Sequence, residues 1–356
     1  MSTLIYLAWG RVQRPRANLI QTLHTVEALT DLGIATRLYV PPVPRRLDRA
    51  DFFRRMGLYR PVDLRGALSL HRRWGGWPFA FLHHRELRRA DAVYTRVPQV
   101  TLALARTGIR HWHEVHDTAT LEKRGLLVPL LAACRAGRVL GLVAISGASR
   151  DALIAAGADP ASVHVLPSGA DLAAFGAVPA LRLERLASPR AVYVGRISRD
   201  RGLGILEQVA RDGCPVRLVG PADDAPAAGV PGLEVAAPVP HVGVPACYAA
   251  AELALMPYQA DLQHAASISP IKLFEAMAAG RVVIASDLAP IREVITHGVD
   301  GLLASPTDVA AWRDAIAWVR AHPQAALAIG QTGQRRAAEF SWQARGRRLA
   351  ALLGLR

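Results

Sequence analysis

Ser267-Ile268-Ser269-Pro270-Ile271-Lys272-Leu273-Phe274-Glu275-Ala276-Met277-Ala278-Ala279-Gly280-Arg281-Val282-Val283-Ile284-Ala285-Ser286-Asp287 decides how this chain folds. Pro270 ends a loop and the residues after it have helical spacing. Lys272 and Glu275 are three apart, so they share one face of that helix. Gly280 stands where a helix C-cap belongs. Val282 to Ala285 is an unbroken apolar run, the signature of a strand covered on both faces. Ser286 and Asp287 follow at its carboxyl end, where open α/β sheets bind ligands.

Outward from this stretch the same alternation continues. In the first half, strands are predicted at Leu4–Trp9, Ala35–Val40, Ala92–Thr95, Gly141–Ser146 and Val163–Leu166. Helices are predicted at Ala17–Leu32, Val100–Thr107 and Ala148–Ala156. The second half adds strands at Ala191–Val194, Val216–Val219 and Leu253–Met256, and a helix at Leu203–Ala210. Strand–helix repetition indicates α/β, doubly wound parallel sheets. With 356 residues there is material for two full cores. The junction is expected near the polar turn Pro167-Ser168-Gly169-Ala170-Asp171, with domains at 1–170 and 171–340 and a terminal helix over 341–356.

Three cysteines, far apart, suggest a reducing compartment without structural disulfides. Met1–Trp9 is read as a buried strand, not a signal peptide. The stretch 126–146 is interrupted by Arg135 and Arg138, each costing about 2.5–3.5 kcal/mol at a bilayer centre, and is read as a buried helix followed by a strand. Charge is unevenly placed. Residues 1–168 hold 24 Lys and Arg against 12 Asp and Glu, and residues 169–356 hold 19 against 17. The excess is densest from Arg45 to Arg96, interleaved with Trp74, Trp77, Phe79 and Phe81. Such a surface suits an anionic membrane or a polyanionic acceptor; nucleic acid is not expected as a partner.

Val194-Gly195-Arg196-Ile197-Ser198-Arg199-Asp200-Arg201-Gly202-Leu203 follows a strand and opens a helix. A glycine there admits close approach of a ligand, free amides favour phosphate, and Arg196 and Arg201 add charge suited to a diphosphate. Gly10 to Asn18 joins the first strand to the first helix without a Gly-x-Gly-x-x-Gly fingerprint, against a dinucleotide cofactor. His113 and His116 stand three apart on what reads as a loop; with no third ligand at metal spacing and no Asp-x-Asp triplet, no metal is expected.

Together the Phe274-Glu275-Ala276-Met277-Ala278 segment, the Gly195–Gly202 loop and the Ser269-Pro270-x-Lys272 approach resemble the family-4 glycosyltransferases, retaining enzymes of GT-B architecture with two Rossmann-like domains facing a cleft. The resemblance implies a metal-independent transferase, without a cofactor, that moves sugar from a nucleotide-sugar to a glycan or lipid-linked acceptor, as in polysaccharide or lipopolysaccharide assembly. It implies that Glu275 holds the nucleotide ribose, and that Gly10, Gly195, Ser269, Ile271 and Lys272 contribute to the donor site. Arg196, Arg201 and Lys272 would take the leaving-group charge. His116 would face the donor sugar, with Asp117 orienting it or binding acceptor, and Arg16 and Asn18 would lie on the acceptor side. Two departures stand out: Ser267 replaces a second, sugar-contacting glutamate, and Arg201 replaces a lysine. A GT-B sugar-nucleotide epimerase and a non-catalytic nucleotide-sugar-binding protein remain as alternatives. The expected location is cytoplasmic, peripheral to the inner face of the membrane.

Overall fold

The computed structural model describes residues 1–13, 16–262 and 265–356. The chain divides into two compact units. One comprises Met1–Ser168 together with Trp342–Arg356, and the other Gly169–Ser341.

The first unit is built on a seven-stranded sheet: β1 Thr3–Leu7, β2 Ala35–Val40, β3 Asp63–Gly66, β4 Ala92–Thr95, β5 His111–Val115, β6 Val139–Ala144 and β7 Val163–Val165. Its spatial order is β3-β2-β1-β4-β5-β6-β7, and every pairing is parallel. Strand order reverses between β1 and β4, which makes their carboxyl ends the natural ligand crevice of this sheet. The helix Ala17–Asp31 buries Leu19, Leu23, Val26 and Leu29 at helical spacing. The terminal helix Trp342–Leu353 packs on it: the Trp342 ring stacks on His24 at 5.5 Å, and Gly346 faces Ala28 so closely that a side chain there would collide with it. The stretch 126–146 is the helix Leu127–Arg135 followed by β6. No described helix is long and apolar enough to cross a membrane.

The second unit repeats the design with six parallel strands: β8 Ala191–Val194, β9 Val216–Val219, β10 Leu233–Ala236, β11 Leu253–Met256, β12 Val282–Ser286 and β13 Leu302–Ala304. The order β10-β9-β8-β11-β12-β13 reverses between β8 and β11. Every residue of β12 is buried, as its unbroken apolar run requires. The helix before it spans Ile271–Ala278, and Gly280 follows with φ 65°, a left-handed stop.

Short strands β3, β10 and β13 carry no strand expectation above. β3 and β10 are edge strands with charged residues (Asp63, Arg65, Glu234), a pattern that protects an edge and hides it from an apolar reading.

Candidate functional site

In the second unit, polar groups gather at the carboxyl ends of β8 and β11, the point where strand order reverses. Tyr193, buried in β8, donates its hydroxyl proton to the Arg196 carbonyl at 2.7 Å. Gly195 follows with φ 142°, and a Cβ there would strike the Lys272 Nζ. Glycine therefore opens the space that the ammonium fills. Lys272 Nζ lies 3.8 Å from the Tyr193 ring centroid and 5.3 Å from that of Tyr258, the latter just beyond β11. Burial, and then the Arg201 guanidinium, push the Lys272 pKa down to about 7 against the pull of Glu275. Among the described residues Lys272 makes no ion pair.

The two arginines are each paired with a carboxylate. Neither stands unopposed at the helix start. Arg196 is held by Asp223 at 2.6 Å. Arg201 donates to Ser198 Oγ at 3.2 Å and lies 3.4 Å from Asp200 Oδ1. Each therefore carries its own carboxylate, and Lys272 is the cation left unneutralised in this group. Three glycine-loop residues, Arg199–Arg201, form a single 3₁₀ turn before the helix Leu203–Arg211. Ser269 and Ile271 flank the start of the Ile271–Ala278 helix, and Ser267 is buried in the turn Ala265–Ser267.

Glu275 is 4% exposed, and its Oε1 accepts a hydrogen bond from Nε2 of buried His241 at 2.7 Å. His241 was invisible to sequence reasoning. It comes from a turn (His241–Gly243) 34 positions upstream, and only the sheet's topology brings it to Glu275. Tyr193 and Tyr258 were missed for the same reason. Asp287, at the end of β12, is clamped in two contacts, at 2.5 and 2.8 Å, by Arg292.

In the first unit a second polar cluster lies at the carboxyl ends of β4 and β5, near the strand-order reversal. His113 and Glu114 belong to β5 rather than to a loop. Alternation along the strand sends His113 and Glu114 to opposite faces, and His116 lies just past the strand's end. His113 is fully buried and meets the Thr101 hydroxyl at 2.7 Å, and burial pushes its pKa down to about 3. The His-x-x-His spacing is thus no chelating pair.

His116 points the other way. Its Nδ1 is 3.0 Å from Arg96 Nη2, and its Nε2 contacts Glu114 Oε1. A guanidinium only donates, so Nδ1 accepts, and the ring proton on Nε2 goes to the carboxylate. Burial, then Arg96, lower the His116 pKa to about 4, so the ring is neutral at pH 7. Burial alone would raise the Glu114 pKa, but Arg345, His116 and Arg96 together hold it well below the carboxylate range. Glu114 also accepts from Gln21 Nε2 at 3.0 Å, from the Tyr94 hydroxyl, and from Arg345 Nη2 at 2.7 Å.

Glu114 and Arg96 hold the two ring nitrogens of His116. Asp117 caps the helix Thr118–Lys123 by accepting from the Thr120 amide at 3.1 Å. Arg16 is the exposed N-cap of the Ala17–Asp31 helix and makes no side-chain cap. Asn18 enters the cluster through its carbonyl, which accepts from Arg96 Nη1 at 2.9 Å. Gly10 is buried, and a Cβ there would press on Leu19 at 2.7 Å, which explains its small size by packing. Arg14 and Pro15 of the same loop lie outside the described residues.

Two family profiles match the chain. Glycosyltransferase Family 4 matches residues 8–174, and Glycosyl transferases group 1 matches residues 188–322. The D-inositol 3-phosphate glycosyltransferases of Xylanimonas cellulosilytica and Segniliparus rotundus are 31% and 29% identical over 68% and 52% of this chain. The chain spans 65% and 45% of their respective lengths. Among solved structures, HepE from Anabaena, in complex with UDP, superposes with a TM-score of 0.75 at 17% identity, over 99% of this chain and 100% of that one. Sucrose-phosphate synthase from Thermosynechococcus elongatus gives 0.76 at 17% identity, over 99% and 98%. These likenesses show the fold, the paired parallel-sheet domains of GT-B proteins. The chain belongs to the family-4, group 1 glycosyltransferases.

Proposed function

We propose that the protein is a retaining, metal-independent glycosyltransferase that moves a sugar from a nucleotide-sugar to a glycan or lipid-linked acceptor. The observation that carries this reading is the grouping of Gly195, Arg201, Lys272 and Glu275 where strand order reverses in the second unit. A diphosphate needs a concentrated positive charge, and Lys272 supplies one without a carboxylate of its own. In the reaction the sugar C1–O bond breaks with its electron pair going to the diphosphate. The acceptor oxygen bonds to C1, and its proton leaves on the diphosphate. Lys272, Arg201, Arg196 and the amides near Gly195 and Ile271 stabilise that departing charge. Glu275 accepts hydrogen bonds from the ribose hydroxyls. The roles of His116, Arg16, Asn18 and Asp117 on the acceptor side rest on the family resemblance, and His116, neutral and fixed at both nitrogens, fits a positioning role better than proton transfer. Titrating a panel of nucleotide-sugars by thermal shift, then following turnover of those that bind, tests the reading. At least one is expected to stabilise the protein and to be turned over in EDTA. Binding by none removes the donor site. Activity lost in EDTA and restored by magnesium or manganese removes the metal-independent mechanism.

Lys272 makes donor affinity depend on pH. Its ammonium attracts the diphosphate, and a pKa near 7 leaves it half charged at neutrality. A bound anion raises that pKa. Affinity for a nucleotide-sugar, whose diphosphate does not itself titrate near neutrality, is therefore expected to be greatest below pH 7 and to weaken as pH rises towards 9. Calorimetric titration of UDP-glucose across this range checks it, and a flat profile in the wild type overturns it. Lys272→Met should bind weakly at every pH.

The basic first unit supports a place on an anionic membrane surface, at the cytoplasmic face, where a lipid-linked acceptor would be met. Trp74, Trp77, Phe81 and Leu82 are exposed, the last two at 78% and 70%. Phe79, read above as part of this surface, is fully buried. The helix Trp77–Leu82 turns it into the core against Tyr39, at 5.0 Å between ring centroids. Arg85, Arg88 and Arg89 follow on the next helix, His84–Arg89. Each basic residue near such a surface contributes about 1 kcal/mol. Flotation with phosphatidylglycerol vesicles is expected to show binding that falls steeply with salt and weakens in Phe81→Ser/Leu82→Ser. No binding at low salt would leave a soluble acceptor.

A further inference from the structure

We propose that His241 is a positioning residue for Glu275, holding its carboxylate in the one orientation that meets both ribose hydroxyls of the donor nucleotide. The inference rests on the donor-site reading above and adds to it the residue that makes the glutamate selective for ribose.

Glu275 projects from the Ile271–Ala278 helix and is almost wholly buried. A buried carboxylate needs several donors, since each oxygen has two acceptor sites and unsatisfied charge is costly to desolvate. Among the described residues the Glu275 side chain has a single hydrogen-bond partner, His241 Nε2 on Oε1. Among the described residues no arginine or lysine reaches it at ion-pair distance, and its contact is the imidazole of His241. Its Oε2 has no partner among the described residues. One oxygen is therefore pinned and the other is open for a ligand, and the donors missing are those a vicinal diol supplies.

The histidine is itself held. It begins the turn His241–Gly243 that leads directly into the helix Val244–Ala249, and it is 8% exposed. The Phe175 ring stands 6.3 Å away, and Phe175 in turn packs edge-on against Tyr248. Tyr248 donates to the Lys272 carbonyl at 3.2 Å, which ties this wall to the first turn of the glutamate's own helix. A glutamate has three rotatable side-chain bonds. A fixed imidazole N–H at 2.7 Å selects one arrangement before the nucleotide arrives, so less freedom is lost on binding.

A structural role alone would weaken all nucleotides alike. A positioning role weakens those with ribose hydroxyls selectively, and this separates the two. Dissociation constants are measured for UDP, GDP and ADP and for their 2′,3′-dideoxy analogues. For the nucleotide that binds tightest, wild type is expected to prefer the ribose form by on the order of 10²-fold, from two hydrogen bonds to a charged group. In His241→Phe, which keeps a ring but removes the donor, that ratio should fall to a few-fold. His241→Gln places an N–H near the position of Nε2 and should restore most of it. Should His241→Phe fail to fold, the comparison of His241→Gln with His241→Leu carries the same test. An undiminished ratio in the donor-less variant overturns the proposal and leaves the donor site standing. No ratio in a wild type that does bind nucleotide also overturns it. Binding of no nucleoside diphosphate at all removes the donor site and the proposal together.

Discussion

Replacing Glu275 by alanine is expected to abolish detectable sugar transfer and to weaken donor binding by about 10²- to 10⁴-fold, the equivalent of two hydrogen bonds to a charged group at roughly 1.5–3 kcal/mol each. The carboxylate is buried, paired to His241 at 2.7 Å, and three residues from the Lys272 ammonium. The substitution removes both ribose acceptors while leaving every cation for the diphosphate in place. The fold should survive, at a cost of about 1–3 kcal/mol for leaving the His241 donor unsatisfied. Glu275→Gln, which keeps the volume but turns one acceptor into a donor, should be nearly as inactive and closer to wild type in stability. Calorimetry with the nucleotide-sugar, turnover of that sugar and urea unfolding measure the three effects. Nucleotide-sugar affinity unchanged in Glu275→Ala would detach this residue from the ribose.

Arg345→Met is expected to cost about 3–5 kcal/mol of stability, because it leaves the buried Glu114 charge without its principal counter-ion. Arg345, in the terminal helix, is 3% exposed. It donates to Glu114 at 2.7 Å, to the Leu166 and Pro167 carbonyls at 2.5 and 2.6 Å, and to the Thr25 hydroxyl at 3.1 Å. The sign of its pH dependence follows from Glu114, whose folded-state pKa is depressed. That group stabilises the fold above its unfolded value, near 4.3, and the contribution is lost as pH falls towards the lower folded value. In Arg345→Met the Glu114 pKa rises, so acid should no longer destabilise the variant relative to neutral pH as it does wild type. Glu114→Gln/Arg345→Met should lose less than Arg345→Met alone, since both charges are then absent. Urea unfolding at pH 7 and pH 4 tests this. A single variant within 1 kcal/mol of wild type would show that water or a side-chain rearrangement satisfies the carboxylate.

Some of the site is legible in the sequence alone. The Lys272–Glu275 spacing, the Gly280 stop and the apolar β12 run are local signals. A helix period, a left-handed glycine and a strand buried on both faces each depend on neighbours within a few residues. The Gly195 turn was legible for the same reason, and the structure adds why glycine suits the position: its φ is 142°, and the Lys272 ammonium lies where a side chain would begin.

Other parts were not legible, each for an identifiable reason. Trp77 to Leu82 is apolar on all sides, so no periodicity fixed which aromatic turns inward, and Phe79 rather than Phe81 went to the core. His113 and Glu114 were placed in a loop because β5 carries histidine and glutamate where an apolar run is expected; the Glu114 charge is compatible with burial because Gln21, Tyr94 and Arg345 receive it, and His113 is tied at Nδ1 to Thr101. Arg345 sits on an amphipathic helix, where an arginine ordinarily faces water.

By itself, then, the sequence determined the class of fold, the position of the donor motif and the imbalance of charge, because helix and strand periods, turn glycines and composition are properties of short stretches or of simple counts. Only the tertiary structure decided which groups face one another. His241 meets Glu275 across 34 residues, Lys272 lies on Tyr193 across 79, and Arg345 reaches Glu114 across 231. Such pairings depend on strand order, on where that order reverses, and on the rotation of each helix about its axis. Burial then sets their chemistry: it lowers Lys272 to a pKa of about 7, and with Arg96 it keeps His116 neutral, whereas both side chains in water would keep their ordinary values.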